Sequence, residues 1–468
     1  MKKKVFVIGA GITGLATTYY LQKAAKDENL PLEVTLLEAT DRVGGQMQTV
    51  KKDGFVIERG PDSFLVRKES AARLIRDVGL GDELVRNATG QSYVVVGSEL
   101  HKMPEGSFMG IPTQVGPFIT SDLFSWKGKL RAGLDYVLPH EKEAGDQSVG
   151  NFFRKRLGDE VVENLIEPLI SGIYSGHIDE LSLRATFPQF EKVVDNNRSL
   201  ILGMKDVMPK RKKEKQEQPK KKEGIFYTVK TGLESIAEAI EKHLDEGSVL
   251  LNTSVKEIER TTDGYTIQTE DGKIFEADEV VLTVPHHVAA NILKGFKRQK
   301  ELAYAPLGSV ATVAMAFDAD AVKEDIDGTG FVVSRNSDYT ITACTWTHRK
   351  WPHTTPEGKI LLRCYVGRVN DDAIVDEADE TIVETAIRDL NKVMTITKKP
   401  DFSIVTRWKK ARPQYVVSHH TRLMYVEKEL EKNWPNVYLA GSSYYGAGLP
   451  DCIDQGEKVV ESIIEKMR

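Results

Sequence analysis

Residues 5–20 read VFVIGAGITGLATTYY. Val5 to Ile8 are β-branched or aromatic with no polar interruption, as in a strand buried in a parallel sheet, whereas Ile12, Leu15, Ala16, Tyr19 and Tyr20 recur at helical spacing. Gly9, Gly11 and Gly14 stand between, so the stretch predicts strand, glycine turn and helix. Gly9 permits the tight turn, Gly11 lets the backbone approach a pyrophosphate, and Gly14 brings helix and strand close. The turn, including Ala10, Ile12 and Thr13, ends at a helix N-terminus whose unpaired N–H groups and dipole favour an anion. A second reading, a secretory leader starting with the lysines at 2–4, fares worse. Its apolar run is broken by three glycines, passes into the polar TTYYLQK and lacks a small-residue cleavage site.

Working outward, LEVTLLE (32–38) predicts a second strand ending at Glu38, where a carboxylate can accept hydrogen bonds from ribose hydroxyls. An ordinary surface carboxylate is the alternative. Glu38 and Ala39 open EATDRVGGQMQTV (38–50), in which Arg42 and the pair Gly44–Gly45 follow at fixed offsets. This resembles the FAD-binding signature of flavin amine oxidases and their relatives. Arginine there can offset pyrophosphate charge, and the glycines admit a cofactor beside the backbone. Near the other end, NVYLAGSSYYGAGLPDCIDQGEKVVESIIEKM (436–467) predicts a strand to Ala440, a glycine-bearing loop and a helix starting near Pro450. That helix either stabilises charge on a reduced flavin through its N-terminus or only packs on the sheet.

Length and composition set the class. A chain of 468 residues exceeds one ordinary core and predicts two or three domains. A formal charge of -5 gives no global reason to expect nucleic acid or an anionic membrane as partner. Three cysteines, Cys344, Cys364 and Cys452, without CxxC spacing suggest neither a disulfide framework nor a zinc site, and fit a reducing cytoplasm. No window approaches the roughly 18 apolar residues of a membrane-spanning helix. The moderately apolar GSFMGIPTQVGPFITSDLFSW (106–126) leaves peripheral membrane contact open.

Six segments carry a closer resemblance: GAGITGLA (9–16), VIERGPDSFL (56–65), GDEVVENLIEPLISGIYSGHIDELS (158–182), GTGFVVSRNSDYTITACTWTHRKWPH (328–353), RWKKARPQY (407–415) and GLPDCIDQG (448–456). By these the chain resembles the oxygen-dependent porphyrinogen oxidases, in particular the soluble branch of Gram-positive haem synthesis. LIEPLISGIYSG and ERGPDSF distinguish that family from monoamine oxidases and carotenoid desaturases, which share only the outer motifs.

The resemblance implies a mixed α/β and α+β fold. It consists of a discontinuous Rossmann-like FAD-binding domain (1–76, 224–293 and 402–468), an antiparallel-sheet substrate domain (294–401, with about 77–94 and 203–223) and a helical domain (95–202). The local patterns are compatible with that division. FYTVKTGLESIAEAIEKHL then VLLNTSVKEIER reads as helix then strand, YTIQTEDGKIFEAD as a hairpin, and EVVLTVP as a buried strand, all completing the N-terminal sheet. Strands alternate from Ser309 to Val366, and helix is expected from about Val95 to Leu202. Residues 209–224, with eight basic, three acidic and no apolar residues, predict a solvated insertion or a docking patch for an acidic partner or a membrane surface.

The resemblance also implies cofactor contacts at Gln46, through its main chain, at Gly60, Pro61, Asp62 and Ser63, at the backbone of Val255, at Trp408, and at Ala447, Gly448 and Leu449. Trp408 has a second reading as a core aromatic. Gly172, Ile173, Gly330, Val332 and Tyr365 correspond to segments that line the family's substrate cleft, with simple packing as the alternative for each. Lys68 is the expected anchor for a substrate carboxylate, with Arg67 able to take its place and an ordinary surface lysine as the other reading.

The implied activity is oxidation of a porphyrinogen to a porphyrin in haem synthesis. Coproporphyrinogen III is the foremost substrate and protoporphyrinogen IX is also accepted. Hydride passes from a bridging carbon to flavin N5 with loss of a pyrrole proton, three times over, and molecular oxygen reoxidises the flavin with release of hydrogen peroxide. The cofactor does the redox chemistry, so no catalytic side chain is required. Of His177, His286, His287, His419 and His420, the paired ones are expected in loop or turn contexts without a spaced carboxylate, and all five are read as structural or surface residues. Cys452 stands unlike the covalent flavin attachment of monoamine oxidases, so noncovalent FAD is expected. No metal is expected, and transient handover to a ferrochelatase is the further implied partnership. An amine oxidase explains the outer motifs equally well but the interior poorly, a carotenoid-type desaturase is a weaker rival, and a non-catalytic, flavin-stabilised porphyrin carrier is the alternative from another class.

Overall fold

The computed structural model describes residues 2–108, 110–139, 145–207 and 224–468. Its main strands are β1 (Lys3–Ile8), β2 (Leu32–Leu37), β3 (Tyr93–Val96), β4 (Glu99–Lys102), β5 (Phe226–Val229), β6 (Val249–Leu250), β7 (Val255–Arg260) and β8 (Tyr265–Thr269). Then come β9 (Ile274–Ala277), β10 (Glu279–Leu282), β11 (Leu307–Asp318), β12 (Gly330–Val333), β13 (Ile341–Trp346), β14 (Lys359–Val366), β15 (Phe402–Pro413) and β16 (Val437–Leu439). The helices that matter most here are α1 (Ile12–Asp27), α2 (Glu69–Asp77), α3 (Glu167–Tyr174), α4 (Glu234–His243), α5 (Asp379–Leu390) and α6 (Leu449–Glu465). The chain divides into two compact units, one of Met1–Arg86, Ile225–Ala305 and His420–Arg468, the other of Asn87–Gly224 and Pro306–His419.

The first unit is built on a five-stranded parallel sheet in the order β6-β2-β1-β10-β16. A parallel sheet must be covered on both faces. Val5 and Val7 of β1 face a core shared with α1, α4 and α6, while Phe6 and Ile8 face a second core with Val280, Leu282 and Leu423. The 265–277 hairpin forms as expected, but it pairs with β7 in a separate three-stranded antiparallel sheet instead of joining β1. The cause is burial: Ile258, Tyr265, Ile267 and Ala277 turn one face of that small sheet onto the second core. The expected helix at 226–243 is also corrected. Phe226–Val229 is a strand of aromatic and β-branched residues paired with Leu84–Arg86, and Gly232, at φ +95°, turns the chain into α4.

The second unit holds a seven-stranded sheet in the order β15-β11-β14-β13-β12-β3-β4, antiparallel except where β12 meets β3. It is wider than the alternating stretch from Ser309 to Val366. At one end it recruits β15, so 402–413, expected with the cofactor segments, belongs to this unit. At the other it recruits β3 and β4, so the chain from Val95 begins extended: the β-branched run Val94–Val96 and the turn at Gly97, φ +64°, favour a hairpin over a helix. Helices follow from Val115 onward and share a core with Val94 and Val332 of the sheet. The 95–202 and 294–401 segments therefore fall in one compact unit. The opposite face of the sheet, with Val313, Met315, Leu362 and Cys364, is sealed by α5 through Ile382, Val383 and Ala386.

Trp126, Leu130, Leu134 and Val137, an i, i+4, i+8 series extended by one residue, are exposed in the helical part of this unit. No helix among the described residues is long and apolar enough to cross a membrane. The basic stretch 209–223 lies outside the described residues.

Candidate functional site

In the first unit the two glycine motifs are stitched together. Gly9 adopts φ +103° and donates its N–H to Leu37 O at 2.8 Å, which ends β1 in a turn open only to glycine. Thr283 Oγ1 donates to Ile8 O at 2.9 Å and to Gly9 O at 2.8 Å, fixing the turn from the next strand. A Cβ on Gly14 would lie 1.9 Å from Gly9 O, so only glycine lets α1 start there. Gly11 differs: its φ of -68° suits any residue, yet a Cβ there would meet nothing within 4 Å. Gly44 donates to Ala10 O at 2.8 Å, and a Cβ on Gly45 would lie 3.3 Å from Gly11 Cα, so the glycine pair walls the open space beside Gly11. Ala10, Ile12 and Thr13 are buried behind it.

Glu38 Oε2 accepts the Ala10 N–H at 2.7 Å, and Oε1 accepts Thr40 N–H at 2.9 Å and Thr40 O–H at 2.8 Å. A carboxylate with about four acceptor sites keeps room for a ribose hydroxyl. Ala39 is exposed beside it, and Thr253 N–H donates to Glu38 O at 2.8 Å, which brings the start of β7 and Val255 alongside. Arg42 plays a different part from the one its charge suggested. Its guanidinium donates to Gly45 O at 3.0 Å and Met47 O at 2.6 Å and pairs with Glu234 at 2.7 Å. The charge is answered within the unit, and the arginine braces the glycine loop around Gln46, which is half-buried.

The second helix of the site is α6. Its N-cap, Gly448, supplies no side-chain cap, and neither does Gly11 on α1. Gly456 brings α6 against α1, since a Cβ there would lie 2.7 Å from Thr17 Oγ1. Gln455, which the sequence reading passed over, fixes the preceding loop by accepting Gly441 N–H at 3.1 Å and donating to Gly446 O at 3.2 Å. Ala447 and Gly448 are exposed at its tip and Leu449 is half-buried. Gly60 is buried, and Pro61, Asp62 and Ser63 are half-buried, with Ser63 Oγ donating to Asp62 at 2.8 Å.

Lys68 forms an ion pair with Asp451 in the first turn of α6, and Ser70 Oγ donates to Pro450 O at 3.2 Å. The expected carboxylate anchor thus already holds a carboxylate of its own chain. Arg67 is exposed. His286 and His419, expected in loop or turn contexts, instead start helices. His286 is buried, with Nδ1 3.1 Å from Ser443 Oγ and Nε2 2.9 Å from Ala305 O, and burial holds its pKa below the usual histidine value. Burial pushes the Cys452 thiol up to about 12. Among the described residues no cluster of metal-ligating side chains occurs.

In the second unit, register gathers the remaining residues on one face of the seven-stranded sheet. Val332, Ala343, Tyr365, Thr312 and Thr406 are cross-strand neighbours from β12 to β15, and Gly330, Thr345, Arg363, Ala314 and Ile404 form the next row. Trp408 lies opposite Val310 on the same face. Here Val332, Ala343, Thr345, Tyr365, Ile404 and Trp408 are only half-buried, whereas the α5 face is sealed. Trp408 stands outside every apolar core. The missing side chain of Gly172 points at Val332, 3.7 Å from its Cγ1, and Ile173 is 54% exposed next to it. Gly330 has a backbone reason to be glycine: at φ +129° a Cβ would strike Cys344 O at 2.0 Å.

Three of the motifs most specific to the resemblance converge here. Glu167 of LIEPLISGIYSG, buried on α3, pairs with Arg335 of GTGFVVSRN, whose Nη2 also donates to Gly176 O at 3.2 Å. Gln414 of RWKKARPQY donates to Tyr174 O at 2.7 Å, and Tyr415 O accepts Ser182 N–H at 2.7 Å.

The profile of the family described as flavin containing amine oxidoreductase matches residues 12–464. The chain belongs to that family. Members are flavin-dependent oxidoreductases, so the cofactor is a flavin, and the cradle fits it: open space at Gly11, a wall at Gly45, a carboxylate at Glu38 and two helix N-termini with no side-chain cap. Among relatives, the coproporphyrinogen III oxidase of Bacillus subtilis (strain 168) is 51% identical over 99% of this chain and 98% of its own length. That of Staphylococcus aureus (strain NCTC 8325 / PS 47) is 44% identical over the whole of both chains. Protoporphyrinogen oxidase 1, chloroplastic, of Arabidopsis thaliana is 29% identical over 96% of this chain and 85% of its own. A solved structure from Exiguobacterium sp. 255-15 superposes with TM-score 0.88 at 38% identity, covering 100% of this chain and 99% of that one. Cyclohexylamine oxidase from Brevibacterium oxydans IH-35A shares the fold at TM-score 0.70 and 17% identity, over 100% of each chain.

Proposed function

We propose that this protein oxidises coproporphyrinogen III to coproporphyrin III, accepts protoporphyrinogen IX as well, and does so in the cytoplasm with noncovalently bound FAD and molecular oxygen as final acceptor. The observation that carries the reading is 51% identity to a coproporphyrinogen III oxidase over nearly the full length of both chains. Supporting it, LIEPLISGIYSG, one of the two motifs that distinguish porphyrinogen oxidases from amine oxidases, is tied by Glu167–Arg335 and Gln414–Tyr174 to the segments that follow strands of the half-buried sheet face.

Bound in the glycine cradle, a flavin supplies the two-electron acceptor. The chain's own residues have the tasks of holding and orienting. The turn at Gly9–Gly14 and Glu38 grip the dinucleotide, Arg42 keeps the glycine loop in place, and Gln455 sets the loop before α6. The face with Val332, Ala343, Tyr365 and Trp408 offers an apolar macrocycle a mixed aliphatic and aromatic surface. Each oxidation removes a hydride and a proton from the macrocycle; with three molecules of oxygen taking up the six hydrogens, a porphyrin and three molecules of hydrogen peroxide result. No side chain has to serve as general base, because an aromatising pyrrole N–H can give its proton to water. Noncovalent attachment is supported for Cys344 and Cys364 by their place in the core sealed by α5. The product is a porphyrin ready for metal insertion, a chemistry compatible with transient handover to a ferrochelatase.

The test is the appearance of porphyrin fluorescence in air from each porphyrinogen, with purified yellow protein. Faster turnover of the four-carboxylate substrate supports the reading. Inertness toward both, with tight binding and no bleaching of the flavin under anaerobic mixing, would point to a carrier instead. Acid precipitation that leaves the colour with the protein would overturn noncovalent attachment.

A further inference from the structure

The half-buried face of the seven-stranded sheet carries a charge that no described residue answers. Arg412 lies opposite Gly308 at the end of β15, beyond an irregularity between Gly308 and Val310 where Lys410 takes φ +49°. Among the described residues its guanidinium makes no hydrogen bond or ion pair, and its Nε is out of solvent without an acceptor. The ionisable groups that face it are Tyr365 and Arg363. Arg363 is itself 3% exposed, donates to Tyr365 O–H at 3.0 Å and stacks 5.0 Å from the Tyr365 ring centre. Burial first, and then repulsion by Arg363, lower the affinity of Arg412 for its proton. A guanidinium whose Nε is shut away from solvent without an acceptor is costly unless an anion meets it. The planar fork of arginine matches a carboxylate, and the Tyr365 hydroxyl adds a donor.

We propose that Arg412, with Arg363 and Tyr365, forms a carboxylate subsite on this sheet face that takes one acid side chain of the macrocyclic substrate. Arg412 is then a specificity residue: it favours substrates with acid chains around the ring over those in which two of the four are replaced by apolar groups. The proposal rests on the porphyrinogen reading above, and Lys68, paired with Asp451, is not needed for it.

The experiment compares wild-type holoenzyme with Arg412→Met and Arg412→Lys. KM and kcat are measured for coproporphyrinogen III and protoporphyrinogen IX in air, and equilibrium binding of coproporphyrin III is followed by fluorescence. Arg412→Met should raise KM for coproporphyrinogen III roughly 10- to 100-fold with kcat little changed, the range expected for losing a charge-assisted hydrogen bond. Coproporphyrin III binding should weaken in parallel, protoporphyrinogen IX should be affected less, and Arg412→Lys should recover part of the loss. Melting temperature should not fall, because the variant removes a half-buried charge whose Nε has no acceptor among the described residues. Unchanged KM and binding for coproporphyrin compounds would overturn the subsite, as would equal losses for both substrates together with a lower melting temperature. A wild-type enzyme inert toward both porphyrinogens would instead overturn the functional reading on which the subsite depends.

Discussion

Gly11 and Gly14 stand three residues apart in one turn, and the structure assigns them opposite sensitivities. Alanine at 14 puts a methyl group 1.9 Å from Gly9 O and 2.8 Å from Thr283 Oγ1, both held by hydrogen bonds that end β1. Neither neighbour is the free end of a flexible chain, so the backbone has to part. Overpacking costs about 1–3 kcal/mol, and disturbing the Thr283 bond adds about 1 kcal/mol; the expected loss is about 3 kcal/mol. Alanine at 11 meets open space at φ -68° and ψ 178°, a conformation it adopts without strain. Its poorer N-capping and its smaller unfolded-state entropy act in opposite directions, leaving the apoprotein within about 1 kcal/mol of wild type. The same methyl group fills the space that the dinucleotide backbone needs, and an affinity loss of at least about tenfold, 1.4 kcal/mol, follows. Urea unfolding of deflavinated protein and titration with FAD by quenching of flavin fluorescence separate the two effects. Wild-type FAD affinity in Gly11→Ala, or wild-type stability in Gly14→Ala, would refute the cradle geometry.

Arg42→Met should loosen the Gly45–Met47 loop and release flavin during gel filtration, while α4 stays folded; full retention of colour would contradict its bracing role. Glu167→Gln leaves Arg335 uncompensated beside a buried position and should cost about 2 kcal/mol after allowance for the partial exposure of the arginine, read as a lower urea midpoint. His286, buried and depressed below 6.5, stays neutral when the unfolded chain takes up a proton, so stability is full above pH 6.5 and falls as pH drops toward the folded value. His286→Gln should flatten that slope between pH 7.5 and 5, and an identical slope would show that other groups set it. A disulfide reagent should find none of the three buried thiols in native protein and all three in urea; rapid reaction of one would contradict its burial.

The parts of this structure legible in the sequence are those fixed by local rules. The turn at Gly9–Gly14, the hairpin around Asp271 and the helix after Pro450 each follow from periodicity and glycine or proline placement within a short window. What the sequence left open depends on partners distant along the chain. Phe226–Val229 and Tyr93–Val96 are strands because edges wait for them, and the 265–277 hairpin sits on a face, not an edge, because of where its apolar side chains find a core. The sites divide the same way. Glu38 was readable from its offset, whereas the pairing of Arg42 with Glu234 and of Lys68 with Asp451 spans long separations that no motif encodes. Gly330 falls in a segment expected to line a cleft, yet the close approach of Cys344 O from the neighbouring strand is what requires glycine there. Arg363 and Tyr365 carried a signal in their alternation with Leu362 and Cys364, which sends them to the face opposite the core.

Sheet order has a cost in time. Because β1 lies between β2 and β10, and β16 closes the far edge, a ribosome delivers the dinucleotide turn long before the strand and helix that complete its surroundings. The nascent β1–α1–β2 segment waits with one side of its sheet bare while the other unit is still being made, which is the condition for slow, non-local assembly and for recruitment of chaperones. Cofactor capture is then a late event, and the pigment reports that the crossing of α6 over α1 has taken place.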